Sequence, residues 1–556
     1  MLQKTIEEAL MEVVGTHVSI LKPRYESFGD ISLNINQIKG HDPHINPEEL
    51  VKKLQDSPYF EKVEVVEGFI NMFLNHALLY QSLEEIIQNI DDFAHTHTLK
   101  GKRILVEFAH PNTHKIFHIG HLRNISIGES LSRILEANGA EVIRINYQGD
   151  VGLHIAKCLY AIMKMGPGEQ KKIAHKPLHE RIDFLGKAYA EGNTAYENDE
   201  KAKAHIHEIN QQIYLRDKNV FDLWKETRQW SLDYFDEIYK RVNTEFKRLF
   251  FESEVADRGL EIARIALKKK ILEESDGAVI LNGKKHAVDT RVFINSLGLP
   301  TYEAKELGLA EKEFSEFGTI DTCIHVVGPE QKSFFAVTFK TEELIDPEKY
   351  KGKQRHFAYG FVDLKHGKMS SRKGNVLSGT WLLDEAKKSI IELFKCDEQT
   401  AEVLAVGAVK YGFLKVDAVK NISFDIKESV SLQGKSGPYI QYTYARIQSI
   451  LNKDKPIDVN GTLNRPASLN DEELHILRKL REFPLVIQES GSTYSPHLIA
   501  IYIYELTQKF NLFYDKHPIL KADKINKDFR LQLALAVGKV IKEGLSILGI
   551  SVLDKV

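Results

Sequence analysis

Four histidines crowd one short stretch: His110, His114, His118 and His121 in HPNTHKIFHIGHLRN (110–124). Imidazole can ligate a metal, carry a proton or donate to phosphate, so its neighbours decide which chemistry is in play. His114 and His118 are four residues apart, a spacing that suits a metal if both lie on one helix. Pro111, Asn112 and Gly120 argue instead for a loop running into a helix start, and no cysteine or HExxH pattern accompanies the histidines. A plain surface loop is the other alternative. The sharper reading is nucleotide binding at His118-Ile119-Gly120-His121. A helix start fed by a parallel strand offers N–H groups and a favourable dipole to phosphate. Gly120 would let a base or ribose lie flat on the backbone. Two imidazoles could donate to phosphate oxygens as charge builds in a transition state.

A second candidate is GKMSSRKGN (367–375), which places Lys368, Arg372 and Lys373 around Met369, Ser370 and Ser371 between two glycines. Small cationic loops suit a triphosphate because they neutralise charge on leaving pyrophosphate. Alone, the segment would read as a solvated basic turn. Its place about 250 residues after the histidine element in one chain makes the pair specific.

The elements that must position these residues are legible. KRILVEFA (102–109) reads as a buried strand, Gly120 to Asn138 as a helix closed by Gly139, and EVIRINY (141–147) as the next strand. Strand, helix, strand in this length is a βαβ unit and implies a parallel sheet. Apolar runs recur at AVILNG (278–283) and CIHVVG (323–328). Residues 153–275 are mostly helical and charged, too long for a crossover, and read as an insertion. Residues 1–95 predict a small α+β unit, including a helix at 46–55 with Asn46 as N-cap and Pro47 in its first turn. From about 386 to the end helix follows helix, with Ser495 and Pro496 opening one of them.

The 556 residues imply three or four domains, and 43% apolar with 28% charged residues excludes a disordered or fibrous chain. A formal charge of −3 neither announces nor excludes a polyanion partner. Three scattered cysteines, Cys158, Cys323 and Cys396, offer no disulfide framework and no four-thiolate zinc site. The charged N-terminal run is not a signal peptide, and no apolar stretch is long enough for a membrane span. The expectation is a soluble, cytoplasmic protein of a reducing compartment.

HIGH followed by KMSSR resembles the two signatures of class I aminoacyl-tRNA synthetases, and the detail is similar to the arginyl-tRNA synthetase family. VEFAHPNTHKIFHIGHLRN (106–124) resembles that family's strand, loop and helix, and NYQGDVGLH (146–154) its next strand end. TRQWSLDYFDEIYKRVNTEF (227–246) resembles its insertion, and LPTYEAKELGLA (299–310) its amino-acid pocket. SGPYIQYTYARIQSIL (436–451) resembles the opening of its anticodon-binding bundle, and FGD (28–30) with GFINMFL (68–74) its N-terminal domain. The resemblance implies an α/β chain with three parts. These are an α+β tRNA-binding domain (1–95), a Rossmann-like catalytic domain (96–385) carrying the helical insertion, and an all-α anticodon-binding domain (386–556).

The implied activity is two-step: L-arginine and ATP give arginyl-adenylate, and the arginyl group passes to the 2′-OH at the 3′ end of tRNA(Arg). Activation is expected to need bound tRNA. By motif, Glu107 and Asn112 would hold the α-amino and carboxylate ends of arginine, and Tyr302 and Glu306 its guanidinium. Gln331 is a further pocket candidate, and Asp150 would lie near the amino acid or ribose. His118, Ile119, Gly120 and His121 would serve ATP, as would Lys368, Met369, Ser370, Ser371 and Arg372. Ser371 stands where the family's loop usually has its second lysine. Lys115 and Lys368 together are expected to supply that charge, with Arg372 and Lys373 as alternatives. ATP would come with Mg²⁺, with no zinc and no covalent cofactor, and the chain would be a monomer. Phe69 and Asn71 would touch the tRNA elbow, and Tyr442, Tyr444 and Tyr514 are candidates for the anticodon loop. Another class I synthetase and a non-catalytic RNA-binding paralogue are the alternatives; the latter should have lost part of HIGH or of the lysine loop.

Overall fold

A computed structural model describes residues 10–15, 20, 21, 23, 28–41, 44–365, 377–454, 463 and 465–556. The loop expectations for Lys368, Met369, Ser370, Ser371, Arg372 and Lys373 lie outside the described residues.

Strands β1 (Ile31–Asn34), β2 (Phe60–Val66) and β3 (Phe69–Leu74) form an antiparallel sheet in the order β1-β3-β2. The Pro47–Gln55 helix begins as the sequence predicts, with the Asn46 side chain accepting the Glu48 N–H at 3.0 Å.

The central sheet is parallel throughout, in the order β11-β10-β4-β5-β6, from β4 (Arg103–Glu107), β5 (Glu141–Gln148), β6 (Arg248–Phe251), β10 (Thr322–Val327) and β11 (Gln354–Ala358). Side chains alternate across it. Val106, Ile324 and Val326 join the core with the Ile119–Ala137 helix, while Leu105, Ile145 and Cys323 pack with Val255 and Leu309 on the other face. On that second face the Glu252–Lys268 and Tyr302–Phe317 helices cross in backbone contact. A Cβ on Gly259 would lie 2.0 Å from the Ala304 carbonyl oxygen, and one on Gly308 2.4 Å from that of Val255. Only glycine permits that approach, and it fixes the Tyr302–Phe317 helix, and Glu306 with it, against the sheet.

The expected insertion is shorter than the sequence suggested. Helices run from Leu153 to Arg241, but β6 then returns to the central sheet as its edge. Its four residues give too little periodicity to stand out from a charged helical region. AVILNG is likewise not a central strand: β8 (Ala278–Leu281) lies between β7 (Glu273–Ser275) and β9 (Arg291–Ile294) in a separate antiparallel sheet. The C-terminal half is not purely helical, because β13 (Ile422–Phe424) pairs in parallel with β12 (Val362–Leu364). Ser495 stands at the start of the Pro496–Lys516 helix, but its hydroxyl donates back to the Thr493 carbonyl and makes no cap bond. Among the described residues no helix is long and apolar enough to cross a membrane.

Arg123, in the HIGH-bearing helix, is fully buried, and its two terminal nitrogens are satisfied by main chain alone. Its Nη1 donates to the carbonyls of Gly360 and Phe361 at 2.5 and 2.7 Å, and its Nη2 to those of Ala418 and Lys420 at 3.1 and 2.7 Å.

Candidate active site

At the carboxyl end of β4 the chain enters a loop that twists sharply. Ala109, His110 and His114 all have positive φ (80°, 49° and 62°). Such non-glycine geometry costs about 1–3 kcal/mol each and must be held by its surroundings. Asn124 accepts the Ala109 N–H at 2.5 Å and donates to the Val326 carbonyl at 2.6 Å; Asn146 accepts the His110 N–H at 3.1 Å.

The loop ends at His118, the N-cap of the Ile119–Ala137 helix. The His118 ring accepts the His121 N–H through Nδ1 at 3.3 Å, and the His121 ring accepts the His118 N–H through its own Nδ1 at 3.2 Å. The two rings stack with centroids 3.6 Å apart. Burial, reinforced by the Lys115 charge, holds His118 down at about 4 and His121 well below the usual histidine range. Both rings are therefore neutral. With Nδ1 of each occupied as an acceptor, the proton sits on Nε2, so each ring presents an N–H donor. Gly120 completes the turn: a Cβ there would come within 2.8 Å of the His118 ring, so the missing side chain makes room for imidazole.

The other two histidines do different work: His110 lines the cavity described below, with Nδ1 3.4 Å from Glu107 Oε1. His114 is buried, with Nε2 2.8 Å from the Thr227 hydroxyl and Nδ1 3.1 Å from that of Thr113, and its N–H donates to Ser231. It pins the loop to the insertion, which removes the His114–His118 metal reading. Among the described residues no group of three or more His, Cys, Asp or Glu side chains is placed to hold a metal ion. Lys115 lies over the Tyr189 ring at 5.6 Å, and its charge acts on both His118 and His121.

A cavity of about 280 Å³ opens beside this helix start. Glu107, Tyr302, Glu306 and Gln331 line it, with Phe334 and Phe335 as an aromatic wall. Glu107 and Glu306 are both buried, and Tyr302 is exposed at the mouth. Burial opposes ionisation of Glu107, but His325 overcomes it and brings the carboxyl down to about 2. Burial, together with the Glu107 charge and against the pull of His325, pushes Glu306 up to about 8. Two converging buried carboxyls with aromatic walls suit a ligand carrying two cationic groups. Asn112 lies in the connecting loop, bridged to Gly149 at the end of β5.

Three expectations are corrected. Asp150 does not line the cavity. It is fully buried and accepts from the Ser253 N–H and hydroxyl at 2.9 and 2.7 Å and from Arg228 Nε at 2.8 Å, while its carbonyl accepts from the Trp224 indole. It therefore anchors the insertion on the sheet. Asn71 is buried and accepts the Ser32 hydroxyl, so it is not free for RNA. Tyr444 is buried and donates to Asp554. Phe69 is half-buried, as is Tyr442, while Tyr514 is exposed. The sequence reading missed His325, Tyr147 and the Arg291–Glu303 pair (2.9 Å) in and behind the cavity. A histidine inside the apolar run CIHVV was the available signal for the first.

Residues 83–426 match the family model for tRNA synthetases class I (R), catalytic domain. The chain belongs to the class I arginyl-tRNA synthetase family. Residues 1–74 match the arginyl tRNA synthetase N terminal domain, and residues 440–556 the DALR anticodon binding domain. Among relatives of this family, the arginine–tRNA ligase of Porphyromonas gingivalis is 33% identical over 523 residues, covering 89% of this chain and 87% of that protein. The arginine–tRNA ligase of Bacteroides thetaiotaomicron is 32% identical, with 97% and 96% covered. The arginyl-tRNA synthetase of Thermus thermophilus has the same fold, with a TM-score of 0.81 over the whole of both chains at 22% identity. The three-part arginyl-tRNA synthetase architecture expected from the motifs is thus present.

Proposed function

We propose that this chain is an arginine–tRNA ligase that activates L-arginine with ATP and transfers the arginyl group to the 3′ end of tRNA(Arg). The observation that carries this reading is the pairing of two buried carboxyls, Glu107 and Glu306, beside a helix start bearing two stacked neutral imidazoles. Glu107 and Asn112 would hold the α-ammonium and carboxylate ends of arginine. Glu306, Tyr302 and Gln331 would hold the guanidinium, for which a carboxylate is the complementary partner.

The arginine carboxylate is already an anion, so adenylation requires in-line positioning and charge neutralisation more than a protein base. An arginine oxygen bonds to the α-phosphorus while the bond to pyrophosphate breaks and the pair leaves on pyrophosphate. The Nε2–H groups of His118 and His121, the Gly120 N–H at the helix start and the Lys115 ammonium would meet that charge; the Ile119 N–H is already donated to the Leu377 carbonyl at 3.0 Å. The Lys368–Arg372 segment would meet the pyrophosphate. Mg²⁺ would enter on the ATP phosphates. Three free cysteines suit the reducing cytoplasm, and a monomer is proposed.

ATP–pyrophosphate exchange tests the reading. Exchange should depend on arginine, require tRNA, and fail with lysine or glutamine. Folded protein with no exchange under any condition would point to an RNA-binding paralogue instead.

For the anticodon loop, Arg446 lies between two rings, 5.2 Å from Tyr442 and 5.4 Å from Tyr514, and bonds Asn511 at 3.1 Å. A braced, exposed aromatic suits stacking by an unpaired base. Tyr514→Ala should raise the KM for tRNA by about 5- to 100-fold, the equivalent of one lost stacking contact, with the arginine KM unchanged. Steady-state aminoacylation with varied tRNA measures it, and an unaltered tRNA KM removes Tyr514 from the interface.

A further inference from the structure

Behind the arginine cavity sits a side chain that the mechanism above does not use. His325 is fully buried in β10, where the parallel register makes it the cross-strand partner of Glu107. Its Nδ1 is 3.2 Å from Glu107 Oε2 and 4.0 Å from Glu306 Oε1. Its Nε2 is 2.9 Å from Gln354 Oε1, and the Gln354 amide donates to Glu342 at 2.8 Å. The rings of Phe335 and Phe339 close over it, with centroids at 5.1 and 5.2 Å. Both ring nitrogens thus face oxygen acceptors. A neutral imidazole has one N–H, so this set of partners calls for the imidazolium.

We propose that His325 is the positioning residue of the amino-acid pocket: its sealed imidazolium holds the Glu107 and Glu306 carboxyls together, aimed at the two cationic ends of arginine, before substrate arrives. The proposal rests on the arginine reading of the cavity. Beside the Glu107 charge in a dry site Glu306 keeps its proton until a cation arrives, and the imidazolium lowers the cost of giving that proton up. Burial alone would strip the His325 proton, but the Glu107 carboxylate 3.2 Å away holds it above the usual histidine range. The groups facing Glu306 are His325 from β10, Glu107 from β4, Tyr147 from β5, Glu342 from the Lys332–Ile345 helix, and Glu303 on its own helix. Arg291 from β9 also lines the cavity but is spent on Glu303 at 2.9 Å, which leaves His325 as the cation whose charge acts on Glu306.

The test compares H325Q with E306Q in ATP–pyrophosphate exchange, with tRNA present. H325Q keeps a donor for Glu107 but removes the charge. The arginine KM should rise by about 10- to 100-fold while the ATP KM stays within about threefold, and the pH above which arginine binds well should move upward. If E306Q raises the arginine KM and H325Q leaves both the KM and the pH profile unchanged, the proposal fails and the pocket reading stands. If neither variant changes the arginine KM, the pocket reading itself fails. Equal losses for arginine and ATP with an unmoved pH profile would reduce His325 to a packing residue and overturn the proposal. Should H325Q not fold, Gln354→Leu removes the acceptor at His325 Nε2 while leaving the imidazole in place, and the same outcomes apply.

Discussion

Glu306→Gln should raise the KM for arginine by about 10²- to 10³-fold, because losing one partner of a buried charge pair costs several kcal/mol. The amide has nearly the same shape as the carboxyl but no charge, and its NH₂ would face guanidinium donors with nothing to accept. The ATP KM should stay near that of the parent protein, since Glu306 lies in the cavity and not at the helix start. The raised Glu306 value adds a signature that a misfolded pocket would not give. With its midpoint near 8, the carboxyl is mostly protonated in the free enzyme at neutral pH. Guanidinium pairs with the carboxylate, so binding must expel that proton. Arginine affinity should fall by up to about tenfold per unit as pH drops below that midpoint, and level off above it. Calorimetry at pH 7 in buffers of different ionisation enthalpy should show close to one proton released per arginine. E306Q should show no such release. A flat profile in the parent protein, with a normal arginine KM in E306Q, would take Glu306 out of recognition.

His118→Asn should lower kcat for adenylate formation by about 10²- to 10³-fold, the usual result of removing one transition-state donor, while leaving thermal stability nearly unchanged. Asparagine is among the best N-cap residues, and its side-chain oxygen can accept the His121 N–H as the imidazole Nδ1 does. What it loses is the Nε2–H at the far side of the ring. The variant therefore separates the cap from the donor. Single-turnover adenylate formation, read beside a melting curve, checks this. A rate within about threefold of the parent would assign His118 to the cap alone.

Much of this site was legible because its signals are local. The cap sequence, the glycine after the HIGH-bearing helix and the carboxyls of VEFAHPN and YEAKE can be read within a few residues. His325 was not, because it lies 218 residues from Glu107 and only the register of two parallel strands makes them neighbours. Asp150 was placed near a ligand because a motif gives a position along the chain, not the direction of a side chain; the fold turned it toward Arg228 and Ser253. Asn71 and Tyr444 failed similarly, each lying on the buried side of its element. The edge strand β6 escaped because four residues can close a sheet without showing a period.

Arg123 hydrogen-bonds four carbonyl oxygens and no side-chain acceptor on the segments it joins. Hydrogen bonds to main chain do not depend on which residues offer the carbonyls, so the exposed Phe361 and Lys420 can be exchanged without loosening the joint. Gly360 is the exception, since a Cβ there would come within 2.4 Å of the Lys420 backbone. The guanidinium itself has no substitute: lysine brings its donors from a single point and cannot span acceptors set on two separate stretches of chain. Sequence drift is thus tolerated on one side of this contact and forbidden on the other.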